Sequence, residues 1–250
     1  MSKKIIYAEI SSDGVTVCDT HIPLPPEVFC GDFDFGDAST VAALSLPKIK
    51  TNSLVLVANT RKTAVRVADI TAEGTLTLSQ DTQWRFVQKN FPIGDKMNEF
   101  THTFDGSVFT NEAAKRVAQS SFFMVALPIA VSDIITKIGV ALTGSIHNVA
   151  RLDTAEHILF RKYSALHESA FILLPQEGGL RVLRIEENLP VVAHYISNDP
   201  EHREGEFMRF FGIIKSPPKV AIFVNCENDF AWLREILSSE IIDVPIRRLI

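Results

Sequence analysis

Two parts of the chain share one hydrophobic pattern, in which an apolar strand leads through a short polar turn into a second apolar strand. The first hairpin has strands at 4–9 and 15–18, and the second has strands at 169–174 and 180–185, with a further strand at 190–197. Their turns contain Gly14 and the pair Gly178 and Gly179, as tight turns require. The pattern predicts two related parts of the chain, each of which begins with the same hairpin.

Between the two hairpins, strands and helices alternate. Apolar runs at 54–58, 122–127 and 146–152 predict strands, the first of them buried. Pro128 begins a predicted helix whose apolar residues keep one face and which ends at Gly144. Asp153, followed three residues later by Glu156, predicts a capping box and a helix to about Leu166. This alternation is typical of an α/β protein.

The remaining segments have shorter or ambiguous patterns. Aromatic residues alternate with small or acidic ones at 29–37, which favours an edge strand or a packed loop, and 60–70 fits either a strand or a short helix. Further elements are predicted as a strand at 75–79, a helix from Asn111 to Val117, a helix at 199–211, a strand at 219–225, a helix at 230–238 and a strand at 244–249.

Charge and composition exclude several classes of protein. The chain has 250 residues, 46% of them hydrophobic, and its formal net charge is -5 from 25 basic and 30 acidic residues. Such a balance offers no basic field for a nucleic acid or an anionic bilayer. The three cysteines, Cys18, Cys30 and Cys226, lack CxxC spacing, so the sequence predicts neither a disulfide framework nor a thiolate metal site, and it indicates a reducing cytosol.

Apolar runs are too short for a membrane span. The N-terminal run stops at Glu9, and the longest one, at 122–131, is interrupted by Pro128. The chain is therefore predicted not to be embedded in a membrane.

One stretch resembles a known family in detail. Residues 122–163, FFMVALPIAVSDIITKIGVALTGSIHNVARLDTAEHILFRKY, give a strand ending in Ala-Leu-Pro, an amphipathic helix, a return strand and an acidic-capped helix. This order resembles the middle of the actin-like PilM and GspL families of type IV pilus assembly and type II secretion. The resemblance implies an α/β, degenerate actin-like (RNase H-like) fold with two related lobes, at 1–165 and 166–250.

The resemblance also implies a function and a location. Such proteins act as cytoplasmic scaffolds that link inner-membrane platform proteins to the motor ATPase of the pilus or secretion machinery, so the expected partners are proteins and not nucleic acid. The expected location is the cytoplasm, at the inner face of the membrane through partners or through a C-terminal segment, since the ending at Ile250 permits truncation of a longer chain.

The two hairpins are where actin-like ATPases and sugar kinases hold phosphates, with glycines that let backbone N–H groups approach the anion. Here Glu9 could supply the carboxylate that directs a metal ion, but Ser11 stands where a glycine is expected and Asp13 brings a negative charge toward phosphate. The second hairpin, with Leu173, Leu174 and Pro175, lacks a metal-directing carboxylate. We interpret the hairpins as structural and assign no catalytic, cofactor-binding or metal-binding residue.

Two alternative functions stay open. A nucleotide-binding ATPase or phosphotransferase would need Glu9, Ser11, Ser12 and the Gly178–Gly179 turn around Mg-nucleotide. An unrelated regulatory or ligand-binding α/β domain would explain the composition equally well.

Other residues that invite a chemical role are interpreted as structural. His147 and His157 flank Asp153, Cys226 precedes a predicted helix, and the segment 194–204 is rich in histidine and acidic residues. Histidines in such positions more often satisfy backbone or water contacts, and alternating charges at a helix start usually form a solvated face. The phenylalanines at 207, 210 and 211 have helical spacing and are expected in the core.

Overall fold

A computed structural model describes residues 5–30, 33–71, 105–109, 119–213, 218–224, 230–237 and 239–244. The strands are β1 Ile6–Ser11, β2 Gly14–Val17, β3 Thr20–Pro23, β4 Leu54–Asn59, β5 Ala64–Thr71, β6 Asp105–Phe109, β7 Gln119–Ala126, β8 Val149–Thr154, β9 Ser169–Gln176, β10 Gly179–Glu186, β11 Leu189–Ser197, β12 Val220–Val224 and β13 Glu240–Val244. The helices are α1 Glu27–Cys30, α2 Ala38–Ala43, α3 Ile129–Thr143, α4 Ala155–Ser164, α5 Arg203–Ile213 and α6 Ala231–Ile236, with a 3₁₀ turn at Ile146–Asn148.

Two five-stranded sheets have the same topology. The first has the order β3-β2-β1-β4-β8 and the second β11-β10-β9-β12-β13. In each sheet the first three strands form an antiparallel meander, and the last two strands run parallel to the first. The predicted pair of related sheets is confirmed. The lobe boundary between residues 165 and 166 stays a prediction.

The likeness extends to the turn that joins the second and third strands of each sheet. Cys18 and Asp19 have φ of 48° and 65°, and Glu187 and Asn188 have φ of 51° and 63°. Two successive residues with positive φ make a type I′ turn, whose twist matches that of the flanking strands. Neither turn contains glycine, but Asp19 and Asn188 are of the residue types that adopt positive φ most readily after glycine.

A smaller antiparallel sheet, in the order β5-β7-β6, is inserted along the chain between β4 and α3. Its strand β5 lies against β11, the edge strand of the second large sheet. The ambiguous segment at 60–70 is a turn at 60–63 followed by β5, which is held as a strand by antiparallel pairing with β7. The predicted strand at 75–79 and the predicted helix from Asn111 lie outside the described residues.

Each large sheet is covered on both faces, so alternate residues of one strand enter different cores. Val55 and Val57 of β4 pack in a central core with α4 and the second sheet, whereas Leu54 and Leu56 pack against α3. The other face of the second sheet is covered by α5 and α6, where Phe207 and Phe210 are buried as predicted. Burial on both faces explains why these strands read as continuous apolar runs.

The predicted helix after Pro128 is confirmed as α3. It ends at Gly144, which has φ of 77° and donates its N–H to the carbonyl of Val140. This left-handed cap is the conformation that glycine adopts at little cost. The next strand was predicted three residues early, because a 3₁₀ turn precedes β8.

The predicted capping box at Asp153 was wrong. Asp153 lies within β8, where it pairs with Val57 of β4, and the residue that caps α4 is Thr154. The Thr154 hydroxyl oxygen accepts the N–H of His157 at 3.3 Å. Because the strand continues through Asp153, the helix begins later than its acidic residues suggested.

Other boundaries also differ. The last strand was predicted at 244–249; β13 covers Glu240–Val244, and the rest of the predicted strand lies outside the described residues. The helix predicted from residue 199 begins at Arg203, after a turn. The segment 33–37 is a packed loop and not a strand, with the rings of Phe33 and Phe35 4.8 Å apart.

Candidate functional site

The first hairpin of each large sheet borders one cleft of about 310 Å³. The β1–β2 turn lies on one side, the β9–β10 turn lies on the other, and Asn59 at the end of β4 completes the wall. This volume is at the lower end of the range for small-molecule sites. The equivalent position of the two hairpins in their sheets is what brings them together, so the cleft is a consequence of the repeated topology.

Carboxylates dominate the charge of this cleft. Glu9, Asp13 and Glu177 line it, and Glu9 is only 5% exposed although it lies in the middle of β1. Burial raises the pKa of Glu9 to about 7; a hydrogen bond from Asn59 opposes this shift, and the nearby Asp13 adds to it. Glu9 therefore changes its charge near neutral pH.

The hydroxyl of Ser11 is occupied within the first hairpin. Its Oγ donates to the Asp13 carboxylate and lies 3.2 Å from the carbonyl oxygen of Gly14. A hydroxyl has one proton to donate. In this arrangement the proton faces a carboxylate, so Ser11 does not offer a donor to an anion.

The hairpin glycines have a structural cause. A Cβ atom on Gly14 would lie 2.4 Å from the carbonyl oxygen of Ile22, and one on Gly179 would lie 2.2 Å from that of Ile196. Both glycines begin the second strand of their sheet, and both meet the backbone of the third strand. Close contact between strands thus accounts for glycine here without an anion.

A chain of polar side chains crosses between the two large sheets at the base of the cleft. Asn59 Nδ2 donates to Glu9 Oε1 at 2.8 Å, and Asn59 Oδ1 accepts from Gln176 Nε2 at 3.3 Å. The same Gln176 nitrogen donates to Glu156 Oε1 of α4 at 2.8 Å. These bonds connect β1 and β4 of one sheet with β9 of the other and with the helix between them.

This series of hydrogen-bonded side chains ends at a buried ion pair. Arg181 of β10 has its Nε 3.5 Å from Glu156 Oε1, and a terminal nitrogen of its guanidinium donates to the carbonyl of Thr63 at 3.2 Å. Glu156 is fully buried, and burial raises its pKa, while Arg181 opposes that shift. The pair holds the second sheet against the segment that joins β4 to β5.

Among the described residues that line the cleft, none is Lys or Arg. The titratable groups among the described lining residues are three carboxylates and His21. Phosphate needs backbone or side-chain donors, and carboxylates repel it. The interpretation of the hairpins as structural stays a prediction.

The histidines that flank Asp153 in sequence do not share one environment. His157 is buried, with its Nδ1 2.8 Å from Asp153 Oδ1, while His147 is exposed in the 3₁₀ turn. His194 stacks on Phe210, with ring centroids 5.3 Å apart. Cys226 lies outside the described residues.

Sequence reasoning missed Asn59, Gln176 and Arg181, and it read Glu156 only as part of a cap. The available signal was their position, since Asn59 and Gln176 are the polar residues that end two buried strands. Arg181 interrupts an apolar strand, which in a sheet covered on both faces requires a buried partner.

Two related sheets of this topology, joined through a cleft bordered by their first hairpins, define an actin-like fold. The structure is similar to that of the PilM–PilN type IV pilus biogenesis complex, with a TM-score of 0.62 and 12% identity over 98% of this chain and 89% of the other. It is also similar to a protein with actin-like ATPase fold and unknown function from Bacteroides thetaiotaomicron, with a TM-score of 0.55 and 8% identity over 96% and 90% of the two chains. At these identities the likeness establishes the fold.

The predicted resemblance to PilM-type proteins is confirmed at the level of fold. No family model matches the sequence, and no curated protein matches it. Among the described residues no helix is long and apolar enough to cross a membrane.

Proposed function

We propose that this chain is a non-catalytic scaffold of type IV pilus or type II secretion assembly, which links inner-membrane platform proteins to the motor ATPase from the cytoplasmic side. The proposal rests on two observations. The fold is actin-like and similar to a chain of the PilM–PilN complex, and the cleft is lined by carboxylates that would repel the phosphates of a nucleotide. We further propose that the chain has two lobes, at 1–165 and 166–250, and that its partners are proteins.

The observation that carries the non-catalytic part is the set of carboxylates at the two hairpins. Glu9, Asp13 and Glu177 line the space between them. At an effective dielectric constant of about 20, two unit charges roughly 5 Å apart repel each other by about 3 kcal/mol. Asp13 and Glu177 would repel a triphosphate in this way, and this supports a role in binding proteins.

Affinity capture from cells of the source organism tests the scaffold role. The tagged chain is expressed at its natural level, and captured proteins are identified by mass spectrometry. We expect enrichment of a secretion or pilus ATPase and of inner-membrane platform proteins. A matched control is Leu56→Asp, which places a charge in a fully buried position and disrupts the fold.

The outcome separates the proposed functions. Enrichment by the native chain and not by Leu56→Asp supports the scaffold. Failure to enrich any protein of either machinery contradicts it, and enrichment of metabolic enzymes alone would favour a regulatory α/β domain.

A further inference from the structure

The segment that joins β4 to β5, residues 59–63, contacts the second large sheet at every other residue. Asn59 is hydrogen-bonded to β9, Arg61 lies against the β9–β10 turn, and the carbonyl of Thr63 accepts a hydrogen bond from Arg181 of β10. A segment that begins in the first sheet therefore holds the hairpin of the second sheet at three points. We call residues 59–63 the clamp.

Asn59 connects the two large sheets through one amide. Its Nδ2 donates to Glu9 Oε1 of β1 at 2.8 Å and lies 3.5 Å from the carbonyl oxygen of Pro175, while its Oδ1 accepts from Gln176 Nε2 at 3.3 Å. Asn59 and Gln176 are both buried. Separation of the sheets at this point would leave buried polar groups without partners, so these bonds oppose it.

Arg181 holds the other end of the clamp. Its guanidinium donates to the Thr63 carbonyl at 3.2 Å, and its Nε lies 3.5 Å from Glu156 Oε1 of α4. Both side chains of this ion pair are buried, and a buried charge that is moved away from its partner is costly. The contact of Arg61 with Glu177, at 4.0 Å, is exposed and contributes little.

Apolar packing between the sheets does not by itself fix their relative position. The central core between them contains aliphatic and aromatic side chains such as Val57, Phe160 and Ile172. Burial of apolar surface is non-directional, and packed elements can slide past one another by shear. Hydrogen bonds depend on distance and angle, so the bonds of the clamp restrict this sliding at the base of the cleft.

We propose that the clamp holds the two large sheets at one fixed spacing without a ligand in the cleft. The cleft between the β1–β2 and β9–β10 turns then has one width, which is set by the contacts of Asn59 and Arg181. This inference goes beyond the scaffold function and does not depend on it, because it rests on contacts within the chain.

The distance between two spin labels tests the proposal. Cys18, Cys30 and Cys226 are replaced by Ser, and labels are attached through Asp133→Cys on α3 and Arg209→Cys on α5, two exposed positions. Helix α3 packs on the first sheet and α5 packs on the second. The distance between the labels therefore reports the spacing of the sheets.

Two substitutions weaken the clamp from opposite sides. Asn59→Ala removes the bonds of this side chain to β9, and Gln176→Met removes the Asn59–Gln176 bond while it keeps the length of the side chain. The matched control is Asn148→Ala, because Asn148 donates to the Thr143 carbonyl at 3.2 Å and this bond does not join the two sheets. Thermal unfolding confirms that each variant is folded, and Gln176→Met carries the test if Asn59→Ala does not fold.

We expect one narrow distance distribution for the chain with an intact clamp and for Asn148→Ala. Asn59→Ala and Gln176→Met should give a wider distribution that includes longer distances. Trypsin provides a second readout, because Arg61 and Lys62 of the clamp are cleavage sites. Loss of a hydrogen bond should raise the cleavage rate there by up to about tenfold, since the open form becomes more populated.

Distributions in Asn59→Ala and Gln176→Met as narrow as that of the intact clamp would overturn the proposal, because the spacing would then not depend on these bonds. A wide distribution with the clamp intact would also overturn it. Equal widening in Asn148→Ala would show a general loosening of the chain and would count against the clamp in the same way.

Discussion

At the scale of the residue, the least expected feature is a carboxylate in the middle of a buried strand. Glu9 pairs across β1 with Thr16 and Val57, neither of which can neutralise it. An unpaired buried carboxylate keeps its proton more tightly, because ionisation would leave a charge without solvent. Perturbed pKa values are found at functional sites and also in structural networks such as the one that links Glu9 to Asn59.

Replacement of Glu9 by Gln should change the pH dependence of stability. The pKa of Glu9 is about 7 in the folded chain against 4.5 as its ordinary value, so between these pH values the folded state holds a proton that the unfolded state releases. The free energy of unfolding of the native chain therefore falls as pH rises through this window, by up to about 3 kcal/mol. Glu9→Gln lacks this contribution.

Urea unfolding at pH 5 and pH 8 measures the effect. Other groups titrate in both proteins, so the informative quantity is the difference between native and variant, which should favour the variant more at pH 8 than at pH 5. Equal pH dependence in the two proteins would show that Glu9 is ionised throughout.

Sequence patterns located Glu9 in the first hairpin but could not supply its partners. Asn59 is 50 residues away along the chain, and the Gln176–Asn59 bond spans 117 residues. Local periodicity carries no information on which strand ends meet in space. The cleft became visible only when the topology placed β4 between β1 and β8.

At the scale of the element, helix α3 shows packing that overrides helix propensity. A Cβ atom on Gly139 would lie 2.7 Å from Leu56 Cδ1 and 3.2 Å from Val149 Cγ2. Leu56 is fully buried, so it has little room to move. By contrast, nothing lies within 4 Å of a Cβ atom on Gly205 of α5.

These two glycines make a matched pair of substitutions. Gly139→Ala should destabilise the chain by about 1–2 kcal/mol, because overpacking outweighs the gain of about 1 kcal/mol in helix propensity. Gly205→Ala should stabilise it by about 0.5–1 kcal/mol. Thermal or urea unfolding measures both. Stabilisation by both substitutions would mean that α3 can move away from β4.

The periodicity of apolar residues predicted whether a segment is a strand or a helix better than it predicted the first and last residues of that segment. The strands at β1, β2, β4, β9 and β10 and the helix α3 were predicted because their apolar patterns are long and clear. The beginning of β13 at Glu240 was not predicted, because its register is set by pairing with β12 and not by its own apolar pattern. Likewise, β3 was missed because it is short and exposed.

At the scale of the whole molecule, the repeated topology is what creates a cleft, and the side chains decide what the cleft accepts. Glycine at the start of β2 and β10 is explained by strand contact, and the hydroxyl of Ser11 is turned toward Asp13. The actin-like fold is therefore combined here with a cleft lined by the carboxylates of Glu9, Asp13 and Glu177.

Titration with Mg-ATP at pH 8 tests whether this actin-like chain uses nucleotide. Binding is measured by the heat released and by the change in melting temperature. We predict no saturable heat and no rise in melting temperature at about 1 mM ligand. A micromolar site would be unmistakable, because ligand at about 100 times its Kd stabilises the folded state by about 2.7 kcal/mol. Saturable binding at micromolar affinity would contradict the account and identify the two hairpins as a nucleotide site.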